Sequence, residues 1–248
     1  MSTRLTSVAS QWLKSAQFWL LPGVCVVCRR ASRRKYDLCA PCQLSLSSIE
    51  RPCRTCALPL PPGDYSSRQC GHCLSRNWRM TRTVAAFAYT EPVSTLITRF
   101  KYQASLQHGS VLGTLLLEQL RKDYRTQPLP DLLIPVPLHT VRLRERGFNQ
   151  ALVLARQLGE GLQIPVAHNL LERVRQTQPQ QGLSARERKR NLRRAFRLQH
   201  AAIPESCNSV ALIDDVVTTM STVHELARVL RHDCTHNLEV HVWCIARA

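Results

Sequence analysis

The chain has 248 residues, 44% of them hydrophobic, which excludes a disordered or fibrous protein and allows one ordinary domain plus a small one. No uninterrupted apolar run approaches the roughly 18 residues that suggest a membrane span. The net charge of +17 is uneven: residues 25–80 carry ten Lys or Arg against three acids, residues 140–200 carry thirteen against four, and residues 201–248 are net acidic. Basic regions of this density predict anionic partners, nucleic acid or a polyphosphate.

Residues 1–22 read as a lead-in helix in which Trp12, Leu13, Ala16 and Trp19 share a face. Arg4 and Lys14 ahead of the apolar stretch 18–21 suggest a signal peptide. Pro22 and Gly23 break that stretch early, however, and no small-residue cleavage site precedes the cysteines.

Residues 23–80 form a cysteine module. Eight of the eleven cysteines make four CxxC pairs: Cys25/Cys28, Cys39/Cys42, Cys53/Cys56 and Cys70/Cys73. A CxxC turn places two thiolates on one side of a knuckle, and two knuckles close a tetrahedral four-cysteine site around zinc. Four knuckles therefore predict two zinc ions. Sequential pairing gives a double zinc ribbon and alternate pairing a cross-braced module; spacing does not decide between them. A disulfide framework needs an oxidising compartment. A thioredoxin-type site needs one CxxC at a strand–helix junction, not four in loops rich in Pro and Arg. Iron–sulfur ligation is the remaining alternative. His72, inside the last knuckle, is superfluous to a four-thiolate set. Cys244 lies in an apolar run and reads as a buried thiol.

Residues 81–248 read as strands alternating with helices, an α/β fold with a mostly parallel sheet. Strands are expected at 82–89, 132–136, 210–213 and 238–245. Helices are expected at 92–103 and 106–124, the second with a stripe of Leu112, Leu115, Leu116 and Leu120. A further helix starts near Asn149 or Gly147, with Gly159 placed to end it. Residues 172–197 are polar, basic and poor in core residues, and read as a mobile loop with a short helix near 185–191. Ligands bind outside the C-terminal ends of parallel strands, so the loops after Val136 and Ile213 are expected on one side.

The most informative segment is 209–222, SVALIDDVVTTMST. A buried strand runs into Asp214 and Asp215. A hydroxyl-rich turn follows, and then a helix with Val223, Leu226, Ala227 and Leu230 on one face. Paired carboxylates can accept from vicinal ribose hydroxyls, and a helix N-terminus can hold a phosphate. The segment resembles the phosphoribosyl-diphosphate (PRPP) motif of type I phosphoribosyltransferases. By that resemblance Asp214 and Asp215 bind the ribose hydroxyls, and Thr218, Thr219, Met220, Ser221 and Thr222 surround the 5′-phosphate, with Mg²⁺ accompanying PRPP. The family pattern has Gly where this chain has Met220, at a position that favours positive φ and close backbone approach; this puts enzymatic activity in doubt.

Together with the knuckles, the strings PVPLH, RLRERGFNQA, RVRQTQ and LSARERKRN are similar to the ComF family, including its GntX-type members, over about residues 20–248. The resemblance implies a cytoplasmic protein with a zinc-ribbon domain and a phosphoribosyltransferase-like domain, associated with competence and the use of external DNA. Val136, Pro137 and His139 occupy the place of a pyrophosphate loop, followed by Arg142, Arg144 and Arg146. Arg175, Thr177, Gln178, Arg188 and Asn191 occupy that of the flexible loop that closes over PRPP. Single-stranded DNA or another nucleic acid is the expected partner, with PRPP and DNA-uptake or recombination proteins as further candidates. Three functions stand: a DNA-uptake or utilisation factor on a transferase scaffold, an active phosphoribosyltransferase, and a zinc-ribbon adaptor with a degenerate site.

Overall fold

The computed structural model describes residues 23–63, 68–175, 195–199, 203–232, 234 and 236–248. The expected lead-in helix and the expected helix at 185–191 lie outside these residues. The α/β part is built on a parallel four-stranded sheet. Its strands are β1 (Arg82–Ala88), β2 (Leu132–Pro135), β5 (Ser209–Val217) and β6 (Glu239–Arg247), in the order β1-β6-β5-β2. Two three-residue strands, β3 (Leu171–Arg173) and β4 (Phe196–Leu198), pair antiparallel beside it.

Side chains along β5 alternate between the two faces. Ala211 and Ile213 join one buried cluster, and Val210 and Leu212 join another. The first cluster is covered by α3 (Val93–Tyr102), α4 (Leu106–Asp123) and α6 (Gln150–Leu162). Each presents an apolar stripe at helical spacing, such as Val93, Leu96, Ile97 and Phe100 on α3. The second cluster is covered by α7 (Ser221–His232) through Val223, Leu226, Ala227 and Leu230, and by Phe196 of β4.

The cysteine module caps the sheet at the free edge of β1. It contains two short helices, α1 (Ala40–Leu44) and α2 (Gly71–Leu74), each starting directly after a cysteine. The amide of Thr83 donates to the Arg54 carbonyl at 2.8 Å, and that of Ala88 to the Ser47 carbonyl at 2.9 Å. The module also straddles the sheet: Cys25 packs in the α4-side cluster, while Cys53, Cys56 and Cys73 pack in the α7-side cluster.

Two expectations need correction, and one helix is additional to those expected. Helix α6 does not end at Gly159 but runs to Leu162, and Gln163 caps it in the left-handed conformation, φ 59°. Gly159 serves close packing instead, since a Cβ there would meet Val166 Cγ2 at 2.7 Å and the Ile164 carbonyl at 2.8 Å. The ends of the expected loop 172–197 are strands, because Leu171 and Phe196 are buried against the sheet's second face. Finally, Thr140–Arg146 forms a further helix, α5, capped by the His139 ring, which accepts from the Val141 amide at 3.3 Å.

Candidate functional site

Strand β5 runs past the two acids to Val217, so Asp214 and Asp215 lie within the strand, not beyond its end. Asp215 is buried and pairs with Lys101 of α3 at 2.9 Å. Each carboxylate also accepts from the next amide: Asp214 Oδ1 from Asp215 at 2.9 Å, and Asp215 Oδ1 from Val216 at 2.7 Å. Burial first, and then the neighbouring Asp215 charge, push the Asp214 carboxyl up to about 8. Burial opposes the Lys101 charge, but Asp215 and Asp214 together more than offset it, so the Lys101 pKa is raised.

Further cations face this pair. Arg173 of β3 has its pKa lowered by burial, with Asp214 acting against that shift and Arg142 of α5 adding to it. The three side chains therefore share one electrostatic neighbourhood, and β3 brings Arg173 there. Arg146 contributes to the field at Lys101. The two acids, with Lys101 and Arg173 beside them, Arg146 near Lys101 and Arg142 near Arg173, make a site that is net positive. Arg144, on the same helix as Arg142, is exposed.

The RGFNQ string, 146–150, builds the corner beside the site. Arg146 Nη1 donates to Gln150 Oε1 at 3.1 Å, and its guanidinium lies 5.3 Å over the Tyr102 ring. Gly147 ends α5 at φ 77°, a conformation open to glycine. Phe148 packs on Phe100, with centroids 5.6 Å apart. Asn149 caps α6 by accepting from the Ala151 amide at 3.0 Å, and its Nδ2 donates to the Val136 carbonyl at 3.1 Å. Gln150 is buried and reaches the Lys101 carbonyl at 3.5 Å. The string thus holds the Val136–His139 segment, α5 and the end of α3 in fixed relation. Val136 itself donates to the Ile213 carbonyl at 2.9 Å, which sets the loop after β2 directly beside the acids.

Thr218 to Met220 link β5 to α7, and Ser221 and Thr222 begin the helix. The first-turn amides of a helix lack intrahelical acceptors and favour an anion. Thr219 and Ser221 hydroxyls lie 3.1 Å apart. Met220 has φ 62° and is only 3% exposed. It keeps the left-handed backbone that glycine would adopt freely, at about 1–2 kcal/mol of strain. Its side chain joins the α7-side core beside Val217 and Val223.

The cysteines settle into sequential sets, Cys25/Cys28/Cys39/Cys42 and Cys53/Cys56/Cys70/Cys73, with the ligand atoms of each within 4.8 Å of one another. Cys28 and Cys39 sulfurs are 3.7 Å apart, and those of Cys56 and Cys70 3.8 Å. A tetrahedron with Zn–S of about 2.3 Å has edges of about 3.8 Å, so both sets fit zinc. His72 lies outside both sets and packs on Trp78 at 5.8 Å.

Of the expected flexible-loop residues only Arg175 is described, and it is exposed; Thr177, Gln178, Arg188 and Asn191 lie outside the described residues. Lys101 and Arg173 went unread in the sequence. A lone Lys in the last turn of an amphipathic helix looks like a solvated cation, and Arg173 lay in a segment read as loop. A cavity of about 450 Å³ opens elsewhere, between the cysteine module and β1, and shares no lining residue with the acidic site. None of the described helices is long and apolar enough to cross a membrane.

A double zinc ribbon joined to an α/β domain with a parallel four-stranded sheet is the class these features define. A family described as a double zinc ribbon domain matches residues 16–74. The chain is 38% identical over 227 residues to Competence protein F of Haemophilus influenzae, covering 90% of this chain and 96% of that protein. It is 36% identical over 227 residues to DNA utilization protein YhgH of Salmonella typhi, covering 91% and 90%. Competence protein ComFC of Bacillus subtilis is 26% identical over 223 residues, covering 87% and 81%. The chain therefore belongs to the ComF family of competence and DNA utilization proteins. Among solved structures it is similar to adenine phosphoribosyltransferase of Leishmania tarentolae, with TM-score 0.34 and 18% identity over 57% of this chain and 58% of that one. Purine phosphoribosyltransferase of Pyrococcus horikoshii gives TM-score 0.32 and 17% identity, over 56% and 73%.

Proposed function

We propose that this protein serves the uptake or utilisation of external DNA in the cytoplasm, and that it binds PRPP or nucleic-acid phosphates beside the acids of β5. PRPP comes with Mg²⁺ and engages both the acids and the cations; single-stranded DNA, which has no vicinal sugar hydroxyls, engages the cations and the α7 amides through its phosphates alone. The names of its relatives, Competence protein F and DNA utilization protein, supply the biological setting. The observation that carries the chemical reading is the pair Asp214 and Asp215 among Lys101, Arg142, Arg146 and Arg173, immediately before a loop that opens a helix N-terminus. The acids suit ribose hydroxyls. The cations and the α7 amides suit phosphates.

Met220 favours a working loop over a degenerate one. Its side chain is turned into the core and its backbone keeps φ 62°, so the substitution does not fill the space above the loop. Transferase activity would add displacement of pyrophosphate from PRPP by an acceptor, and pyrophosphate release would measure it.

The test is titration of the zinc-loaded protein with PRPP·Mg²⁺ and with single-stranded DNA, separately and together. A true ligand at a hundredfold excess over Kd stabilises the fold by about 2.7 kcal/mol. Asp215→Asn should abolish that gain for PRPP; a full gain in the variant refutes the ribose assignment. DNA affinity should fall steeply with salt, and salt-independent affinity contradicts a phosphate-led contact.

A further inference from the structure

The two cysteine sets stand in different relations to the α7 loop, and one buried side chain makes the difference. Arg247, the last residue of β6, is only 7% exposed. Its Nε donates to the carbonyl of Cys56 at 2.7 Å. Its Nη1 donates to the carbonyl of Val217 at 3.0 Å and also lies against the carbonyls of Thr218 and Ala248. One planar guanidinium therefore spans a metal-ligand knuckle and the first residues of the anion loop. The fork is rigid, so its two ends cannot shift independently.

Packing repeats the connection. Cys53, Cys56 and Cys73 share one buried cluster with Val217, Met220, Val223 and Leu226. Trp78, just beyond the last knuckle, has its ring 5.8 Å from His72 of that knuckle and 5.3 Å from His224 on the first turn of α7. The first set has other neighbours. Cys25 belongs to the opposite cluster. The ties of its surroundings run to α4, from Gln107 to Asp37 at 2.8 Å and from Gln43 to Glu118 at 3.4 Å.

We infer that Arg247 is a positioning residue that couples the second cysteine set, Cys53/Cys56/Cys70/Cys73, to the anion-binding loop 218–222, so that metal in the second set orders the loop while metal in the first does not. The consequence for ligands rests on the phosphate reading of the loop; the ordering itself does not. Coupling is reciprocal, so an anion in the loop should hold back metal loss from the second set alone.

The deciding measurement is amide hydrogen exchange at residues 218–222 in the zinc-loaded full chain, which needs no ligand. Arg247→Met should retain two zinc ions by native mass spectrometry yet exchange there at least tenfold faster. Cys70→Ser should do the same with one zinc lost, and Cys28→Ser should change the exchange less than twofold. Where Arg247→Met fails to fold, Arg247→Lys keeps the charge without the fork and should give the same rise. Equal effects of Cys28→Ser and Cys70→Ser, or unchanged exchange in the Arg247 variant that folds, overturn the coupling. On the unaltered protein, inorganic phosphate should slow release of one of the two zinc ions to a chelator several-fold. If phosphate protects amides 218–222 but slows neither zinc, the coupling is wrong. If phosphate protects nothing, the anion reading falls and the exchange series alone judges the coupling.

Discussion

Met220→Gly and Met220→Ala, compared with each other, measure the strain held in the α7 loop. Both substitutions remove a side chain that is 3% exposed and packed among Val217, Val223 and Leu226. Loss of a buried Met typically costs about 2–5 kcal/mol. Alanine keeps the left-handed penalty of about 1–2 kcal/mol, which glycine relieves. Glycine in turn brings about 0.5–1 kcal/mol of extra chain entropy to the unfolded state. The balance leaves Met220→Gly more stable than Met220→Ala by about 1 kcal/mol, with both below wild type. At an ordinary helical position the order would be the reverse. Urea denaturation followed by tryptophan fluorescence, with zinc held constant, resolves this: at a slope of about 1–3 kcal/mol per molar, 1 kcal/mol separates the midpoints by about 0.3–1 M. If the alanine variant equals or exceeds the glycine variant, the residue is not held at positive φ and the argument about the loop fails.

The Asp214 carboxyl titrates at 3.8 in its reference state and near 8 in the fold. Between those values the folded state keeps a proton that the unfolded chain has lost, so folding stability drains away as pH rises and levels off above about 8. Asp214→Asn should therefore gain on wild type steadily from pH 4 to 8 in paired urea titrations; a constant or shrinking gain contradicts the assignment. Asn149→Ala should cost about 1–2 kcal/mol through loss of a helix cap and of the bond to Val136. Asn149→Asp retains the cap and should lose about half as much, as thermal or urea unfolding would reveal. Metal analysis of the undenatured protein should find two zinc ions per chain, and finding none, or iron, rejects the assignment of both four-thiolate sets to zinc.

The elements that could be read in the sequence are those with a continuous apolar run or a regular apolar stripe. Val84, Leu133, Ile213 and Trp243 sit in uniformly apolar runs because parallel strands covered on both faces need no alternation. The helical stripes of α3, α4, α6 and α7 were equally plain. The knuckles were visible because metal ligation fixes residue type at fixed spacing. What was hidden depended on contacts between distant segments. Strands β3 and β4 are three residues each and depend on pairing with each other and on burial of Leu171 and Phe196 against the sheet. Helix α5 holds a single leucine among its charges and is capped by a histidine, an uncommon cap. Lys101 is defined by Asp215, which lies over a hundred residues away in the chain. Arg247 ends a strand where a solvated cation is the ordinary expectation, and nothing local announces that four carbonyls converge on it.

The cysteine module also does something for the sheet that has no bearing on ligands. By supplying the carbonyls of Arg54 and Ser47 to the amides of Thr83 and Ala88, it covers the two ends of the sheet's outer strand. An uncovered edge is a template for pairing with another chain. A zinc-starved protein should therefore self-associate through β1 while its parallel sheet is still intact. Light scattering that rises with chelator ahead of any loss of sheet signal in circular dichroism would register that order of events, and the opposite order would refute it.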